Sequence, residues 1–382
     1  MQPDRRFVCF GIVAASLAAC GGGAPVPAQQ SAPPMQTVPN PGFDAWVAGF
    51  RTRAAGRGIS AATLDRALDG AGYLPGVIER DRNQTEFTRT LEEYLAIAAS
   101  DDRIATGREM LRRHGALLNR IEAKYGVPPQ IVTAIWGLES RYGARMGDTP
   151  VISATATLAY DGRRGEFYEK QLMAALKIVQ NGDIAADRMT GSWAGAMGHT
   201  QFIPTSYEAY AVDFNGDGRR DIWSADPADA LASTAAYLNR SGWVRGQTWG
   251  GEVGSAAAAS ATPVAILQPQ VPGPKFAVFR NFQVIKRYNN SDSYALGVGH
   301  LADRIAGGGP LVTPFGPDAQ GMTLNDRKEL QKRLTAKGFD TDGTDGVIGA
   351  KSQAAISAYQ QSVGLPATGE PSAALLERLK RG

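Results

Sequence analysis

The chain has 382 residues, 43% of them hydrophobic and 20% charged, with a formal net charge of +3. This length suits two or three domains, and the composition is that of a globular chain able to bury a core. So small a net charge gives none of the concentrated basic face that nucleic-acid binding requires, while it suits an acidic polymer.

Arg5 and Arg6 precede an apolar run from Phe7 to Ala19, broken by Gly11 and Ser16. The run is shorter than the ~20 residues that span a bilayer. Basic, apolar and then small residues are the layout of an export signal, expected over residues 1–19. The segment ends Leu17-Ala18-Ala19-Cys20 and resembles a bacterial lipobox, which implies acylation of Cys20; a plain signal peptide with an incidental cysteine is the alternative. The other cysteine, Cys9, lies inside the segment to be removed. The mature protein would then hold neither a free thiol nor a disulfide, in keeping with an oxidising compartment. Residues 20–42 are rich in Pro, Ala, Gln and Gly and bury too little apolar surface to order themselves, so they are expected to form a tether.

Residues 43–308 are expected to form one large, mainly helical domain. Helical spacing of apolar residues covers Thr85 to Ala99, Thr106 to Tyr125, Gly165 to Val179 and Asp229 to Leu238. Gly126-Val127-Pro128-Pro129 ends one helix and opens the next, because proline is favoured in a first helical turn. Thr190 to Ile203 is glycine-rich and aromatic, which predicts a shaped loop. Val264 to Leu267 and Phe276 to Phe279 predict a small sheet. A second linker is expected over 309–321 and a compact tail over 322–382, with helices at Leu324 to Lys337, Gln353 to Val363 and Ser372 to Lys380. No tandem repeat of fixed period occurs.

Within Pro129 to Gly143, Ile131, Ile135 and Leu138 share one helical face, and Glu139, four residues after Ile135, projects from that stripe. A carboxyl desolvated there would hold its proton to higher pH, as glycosidic cleavage requires of a general acid. From spacing alone, a glutamate at a helix end paired with Arg141 or Arg145 is the favoured reading. Three histidines, His114, His199 and His300, lack the spacing of a zinc site, and no nucleophile elbow is present. Gly346 to Ser352 misses the phosphate-loop pattern, because Ala350 separates glycine from lysine.

Gly137-Leu138-Glu139-Ser140 with Tyr142-Gly143, the run Ser192 to Tyr207, and Tyr288 to Ala295 together resemble the membrane-bound lytic murein transglycosylases, glycoside hydrolase family 103. The resemblance spans roughly residues 43–308. It implies a mainly α, α+β chain: a lysozyme-like core with flanking helical and small β subdomains. It implies Glu139 as acid and then base, with Ser192 hydrogen-bonded to it. Met197, Gln201, Tyr237, Tyr288, Asn289 and Tyr294 match cleft positions around sugar and acetamide, and Arg163 and Arg164 match a basic pair that meets peptide stems. Ala236 departs from the family's usual asparagine, which puts one polar contact in doubt. The implied reaction cuts the β-1,4 bond between N-acetylmuramic acid and N-acetylglucosamine and closes a 1,6-anhydro ring, with no catalytic cofactor.

Asp213, Asn215 and Asp217 stand at positions one, three and five of an EF-hand loop, with Gly218 at the sharp turn and the Arg219 carbonyl next. Ser224 occupies the twelfth position, where a glutamate is usual; the family takes a later aspartate, matched here by Asp229. A structural calcium ion is expected, an ion-free acidic turn being the simpler alternative. The tail, with Leu330 to Leu334, Asp345 to Gly349, Tyr359-Gln360 and Gly364-Leu365-Pro366, resembles a three-helix peptidoglycan-binding domain. Expected partners are therefore glycan strands, a membrane through the lipid anchor and other cell-wall enzymes, in the periplasm at the outer membrane of a Gram-negative cell. Two alternatives stay open: a non-catalytic wall-binding scaffold, and a water-using muramidase with Asp148, Asp161 or Glu166 as its second carboxylate.

Overall fold

The computed structural model describes residues 35–83 and 89–381, so Cys9, Cys20 and the expected export signal lie outside the described residues. The chain divides into two compact units, one of residues 1–87 and 109–245 and the other of 88–108 and 246–382.

Ordered structure begins before the expected end of the tether at residue 42: Val38 bridges Tyr73, and Asn40 caps the first helix by accepting from Phe43 N. That helix, α1 (Pro41–Ala55), carries proline in its first turn, where no intrahelical partner for an N–H exists. It is followed by α2 (Ala61–Leu68), capped by Ser60, and α3 (Pro75–Arg82). Helix α4 (Leu91–Ala98) belongs to the second unit and opens on a Thr90/Glu93 capping box. The single helix expected over Thr106 to Tyr125 is two, α5 (Asp101–Arg113) and α6 (Gly115–Tyr125), broken at His114 before a glycine that favours no helix interior.

In the first unit the chain continues through α7 (Pro129–Ser140), β1 (Thr149–Pro150), α8 (Val151–Asp161), α9 (Gly165–Gln180), a 3-10 turn (Ala186–Arg188), β2 (Thr190–Gly191), α10 (Pro204–Tyr210) and α11 (Ala228–Arg240). Helix α8 packs along α9 and α3, while α7 packs against α6 and α11. Leu74, Val77, Leu158 and Tyr168 belong to one core cluster there. The buried hydroxyls of α8 find partners: Thr157 Oγ1 accepts from Leu74 N (3.1 Å), and Thr155 Oγ1 donates to Val151 O (2.7 Å).

In the second unit, β3 (Gly250–Glu252), β4 (Ala265–Leu267) and β5 (Phe276–Val278) form an antiparallel sheet in the order β3-β5-β4. Next come α12 (Arg280–Tyr288) and α13 (Asp292–Ile305), the latter capped by Ser291 and packed on α4. The tail forms α14 (Leu324–Ala336), α15 (Ala350–Ser362) and α16 (Ala373–Arg381), closed around Leu330, Leu334, Ile356, Tyr359 and Leu376. The segment expected to be a linker, 309–321, is held down. The Glu252 carboxylate accepts from Val312 N (2.7 Å) and Thr313 N (2.6 Å), and Gly316 N donates to Pro272 O. Arg327 of α14 joins Glu92 of α4 (2.6 Å) and Asp318 (2.6 Å) in a buried triad.

Two half-buried groups on α13 oppose each other in pH dependence. Burial pushes the Asp303 carboxyl up to about 6, although Trp249 Nε1 donates to it. Burial likewise pushes His300 down to about 4. As pH rises from 4 to 6, the native state keeps the Asp303 proton that the unfolded chain loses, so this group costs stability, about 3 kcal/mol in full. Over nearly the same window the unfolded chain holds a proton that native His300 has lost, so stability is gained by a similar amount. The wild-type melting temperature should therefore change little from this pair. Asp303→Asn should make stability rise with pH between 4 and 6, and His300→Gln should make it fall. Parallel pH-melting profiles for the three proteins would disprove the pairing.

Candidate active site

Every residue from Ile131 to Ser140 of α7 is buried. The expectation of one apolar stripe is thereby corrected: the helix is enclosed on all sides, and Glu139 is 6% exposed because of that enclosure. The helix ends in an unusual backbone run, with Arg141, Tyr142 and Gly143 at φ of 50°, 59° and 88°. Left-handed conformations at two non-glycine residues in succession are costly and persist only where surrounding structure enforces them. Here it does. A Cβ on Gly137 would lie 2.5 Å from the Tyr142 ring, and one on Gly143 would lie 2.5 Å from His199 Nδ1.

The segment after Glu139 is stitched to the loop that starts at Thr190. Ser140 Oγ donates to His199 O (2.6 Å) and accepts from Gly143 N (2.9 Å). Gln201 Nε2 donates to Met146 O (3.0 Å) and Gly198 O (2.9 Å). Strands β1 and β2 pair Thr149 with Gly191 and Pro150 with Thr190. Gly147 sits so close to the backbone of Gly191 and Ser192 that a Cβ there would meet Gly191 O at 2.2 Å. The loop then folds on itself: Ala196 N donates to Ser192 Oγ (3.0 Å), and Met197 and Phe202 exchange backbone hydrogen bonds. With its oxygen accepting from Ala196, the Ser192 hydroxyl keeps its proton for donation.

His199, which lacks the sequence spacing of a zinc ligand, is the hub of this stitching. Its Nδ1 accepts from Trp136 Nε1 (3.1 Å), so Nε2 carries the proton donated to Ser224 O (2.7 Å). Burial lowers its pKa, which keeps the imidazole neutral in this role.

The other expected residues fall into three groups. Tyr237 is half-buried against Tyr210 (4.4 Å between ring centroids) and Phe202 (6.0 Å). Met197 has no exposed surface and is held by packing. Ala236 is likewise fully buried, where the departing asparagine would have to be satisfied. Arg163 and Arg164 converge on Asp81, a partner that the sequence did not single out. Arg163 Nε donates to Asp81 Oδ2 (2.7 Å), and Arg164 donates to Asp81 Oδ1 (3.3 Å) and to Tyr168 OH (2.6 Å). The basic pair expected for peptide stems is thus engaged by a buried carboxylate. In the second unit, Tyr288 ends α12 and Tyr294 is buried within α13. Between them Asn289 is buried, and its Oδ1 accepts no hydrogen bond. Of the other carboxylates, Asp161 pairs with Arg82 (2.7 Å), and Asp148 and Glu166 are exposed.

At the acidic loop, carboxylate oxygens of Asp213, Asp217 and Asp229 converge within 4.8 Å of one another. Gly218 takes φ of 89°, as the sharp turn requires. Asp229 Oδ1 accepts from Phe214 N (2.8 Å), and its Oδ2 accepts from Asp221 N (2.9 Å), which folds the loop onto α11. Burial and the Asp213 charge push the Asp229 carboxyl upward despite these bonds. Converging hard oxygen donors whose charges repel one another fit a divalent cation. Asn215 Oδ1 instead accepts from Asp217 N, and Ser224 Oγ donates to Asp226 O.

The Transglycosylase SLT domain family matches residues 42–264 and 253–303, and a putative peptidoglycan binding domain matches 323–379. Membrane-bound lytic murein transglycosylase B of Escherichia coli (strain K12) is 35% identical over 290 residues, 65% of this chain and 79% of that protein. The crystal structure of SltB3 from Pseudomonas aeruginosa in complex with NAG-NAM-pentapeptide has a TM-score of 0.69 at 45% identity, over 89% of this chain and all (100%) of that one. E. coli lytic transglycosylase SLT35 in complex with calcium has a TM-score of 0.59 at 30% identity, over 70% of this chain and 93% of that one. With the family model matching residues 42–303 and the relatives above 30% or more identical, this chain belongs to the Transglycosylase SLT domain family of peptidoglycan-acting enzymes.

Proposed function

We propose that the chain cleaves the β-1,4 bond between N-acetylmuramic acid and N-acetylglucosamine, with Glu139 as the one carboxylate that acts first as acid and then as base. The observation that carries this is the enclosure of Glu139 within α7, beside a loop whose glycines admit no side chain. A desolvated carboxyl can protonate the leaving oxygen. The substrate's own acetamide stabilises the cation, and Glu139 then takes the proton of the C6 hydroxyl as the 1,6-anhydro ring closes. Atoms balance without water. Ser192 is the proposed donor that holds the Glu139 carboxylate between the two steps. Gln201, Tyr237, Tyr288, Asn289 and Tyr294 are the proposed contacts to sugar, and the bare Asn289 Oδ1 is an acceptor suited to an amide N–H. Mass analysis of products from purified sacculi tests the reaction: anhydro ends support it, and reducing ends would show hydrolysis instead.

Residues 322–382 are proposed to hold the polymer, and Cys20 to carry lipid after export, which would place the enzyme in the periplasm at the outer membrane. Among the described residues no helix is long and apolar enough to cross a membrane. Asp213, Asp217 and Asp229, with Asn215 and the Arg219 carbonyl, are proposed to hold structural calcium. Calcium at 100 times its Kd would stabilise the fold by ~2.7 kcal/mol. Added calcium should raise the melting temperature of the parent protein and leave Asp217→Ala unmoved. A parent that does not respond to calcium refutes the site.

A further inference from the structure

A cavity of about 480 Å³ opens in the first unit between α2, the end of α9, the 3-10 turn and the acidic loop. Its lining includes Arg66, Arg188 and Arg219, with Asp187 and the apolar Ile184 and Ala186. Its volume lies in the range of small-ligand sites, about 300–1,000 Å³. The three arginines are exposed, and no carboxylate of the described residues pairs with them. This sets them apart from Arg163 and Arg164, both of which pair with Asp81. Three guanidiniums against one carboxylate leave the cavity cationic, and guanidinium forks match carboxylates in geometry.

The remaining lining decides between ligand classes. A phosphate dianion would be attracted by the arginines but repelled by Asp187, and it would gain nothing from Ile184 and Ala186. A short peptide bearing several carboxylates, one ammonium group and alanine methyls uses every part: arginines for the carboxylates, Asp187 for the ammonium, and the apolar wall for the methyls. Resting on the peptidoglycan reading above, we propose that this cavity is a subsite for the acidic peptide stems of the wall polymer. It would select stem-bearing strands without taking part in bond cleavage.

The test is binding of a labelled free stem peptide (alanine, glutamate and a diamino acid) to the full mature chain, followed by fluorescence anisotropy. The peptide holds no glycosidic bond, so binding is independent of catalysis. Affinity should fall at least about tenfold in the double variant Arg66→Gln, Arg188→Gln, as expected for lost charge-assisted bonds. It should fall similarly in Ala186→Glu, which keeps all three arginines but adds a carboxylate to the cavity. The parent should bind more weakly as salt rises, because exposed charges are screened. The KM for stem-bearing strands should rise in both variants, with cleavage of peptide-free glycan unchanged. Unaltered peptide affinity in both variants overturns the subsite, even if the parent releases anhydro products. Displacement of the peptide by an equal concentration of inorganic phosphate also overturns it, in favour of a plain anion site. Absence of anhydro products from the parent instead overturns the enzymatic reading on which the subsite rests.

Discussion

Glu139→Gln should leave sacculi undigested. The substitution preserves side-chain volume and one hydrogen-bonding oxygen but removes the proton that the leaving oxygen needs. Positioned acid–base catalysis contributes about 10²–10⁴-fold, and here one group serves both steps, so release of anhydro products should fall by at least that factor. Binding to sacculi through residues 322–382 should persist, which separates lost chemistry from lost recognition. Unfolding cannot account for such a loss. Glu139 is 6% exposed, and replacing a buried carboxylate by a neutral isostere removes a desolvation penalty, so the melting temperature should hold or rise. Retention of more than about a tenth of parental activity, against the factor above, would exclude Glu139 as the acid. Ser192→Ala should cost less, since its hydroxyl orients the carboxylate and exchanges no proton with substrate.

The largest expected loss of stability lies in the second unit. Arg327 has a side chain only 3% exposed and meets Glu92, itself 8% exposed, and Asp318 at 22%. Two further donors are used as well: Nε bonds Gly346 O (2.9 Å) and one terminal nitrogen bonds Met322 O (3.1 Å). Arg327→Leu would leave Glu92 buried without its cation, at a cost of about 3–5 kcal/mol. Denaturant unfolding should show a correspondingly lower midpoint, with earlier proteolysis within 309–321. Removing both charges, in Arg327→Leu with Glu92→Leu, should recover much of the loss, because burial of an unpaired charge is what costs most. A single variant as stable as the parent would mean that the triad contributes nothing to the docking of α14 on α4.

This triad also changes what the wall-binding tail can do. Proline and glycine over 309–321 predicted a free linker, and a free linker acts through effective concentration alone. Hydrogen bonds from Val312 and Thr313 to Glu252, and the ion pair from Arg327 to Glu92, instead fix the tail on its unit. Composition reports a segment's local freedom. It says nothing of partners more than 200 residues away in the chain, such as Glu92, which lies 235 residues from Arg327.

Helix ends were legible where they depend on neighbours in sequence: Gly126 after α6 and the prolines at the start of α7, with the glycine-rich run from Thr190 read as a loop. The calcium-type loop was legible for the same reason, since alternating donors around one glycine turn are a local pattern. Helix α8 was not. Its run of Ala, Ser and Thr has no contrasting face, and only packing against α3 and α9, with its hydroxyls paired, makes it a buried helix. The roles of Arg163 and Arg164 could not be read either, because Asp81 lies 82 residues away from Arg163. By itself, then, the sequence determined which motifs the chain carries and where it turns, through patterns that act over a few residues. Only the tertiary structure decided that Glu139 is enclosed on every side, that His199 pins its loop, and which arginines remain uncompensated, because burial and charge pairing are set by neighbours that folding alone brings together.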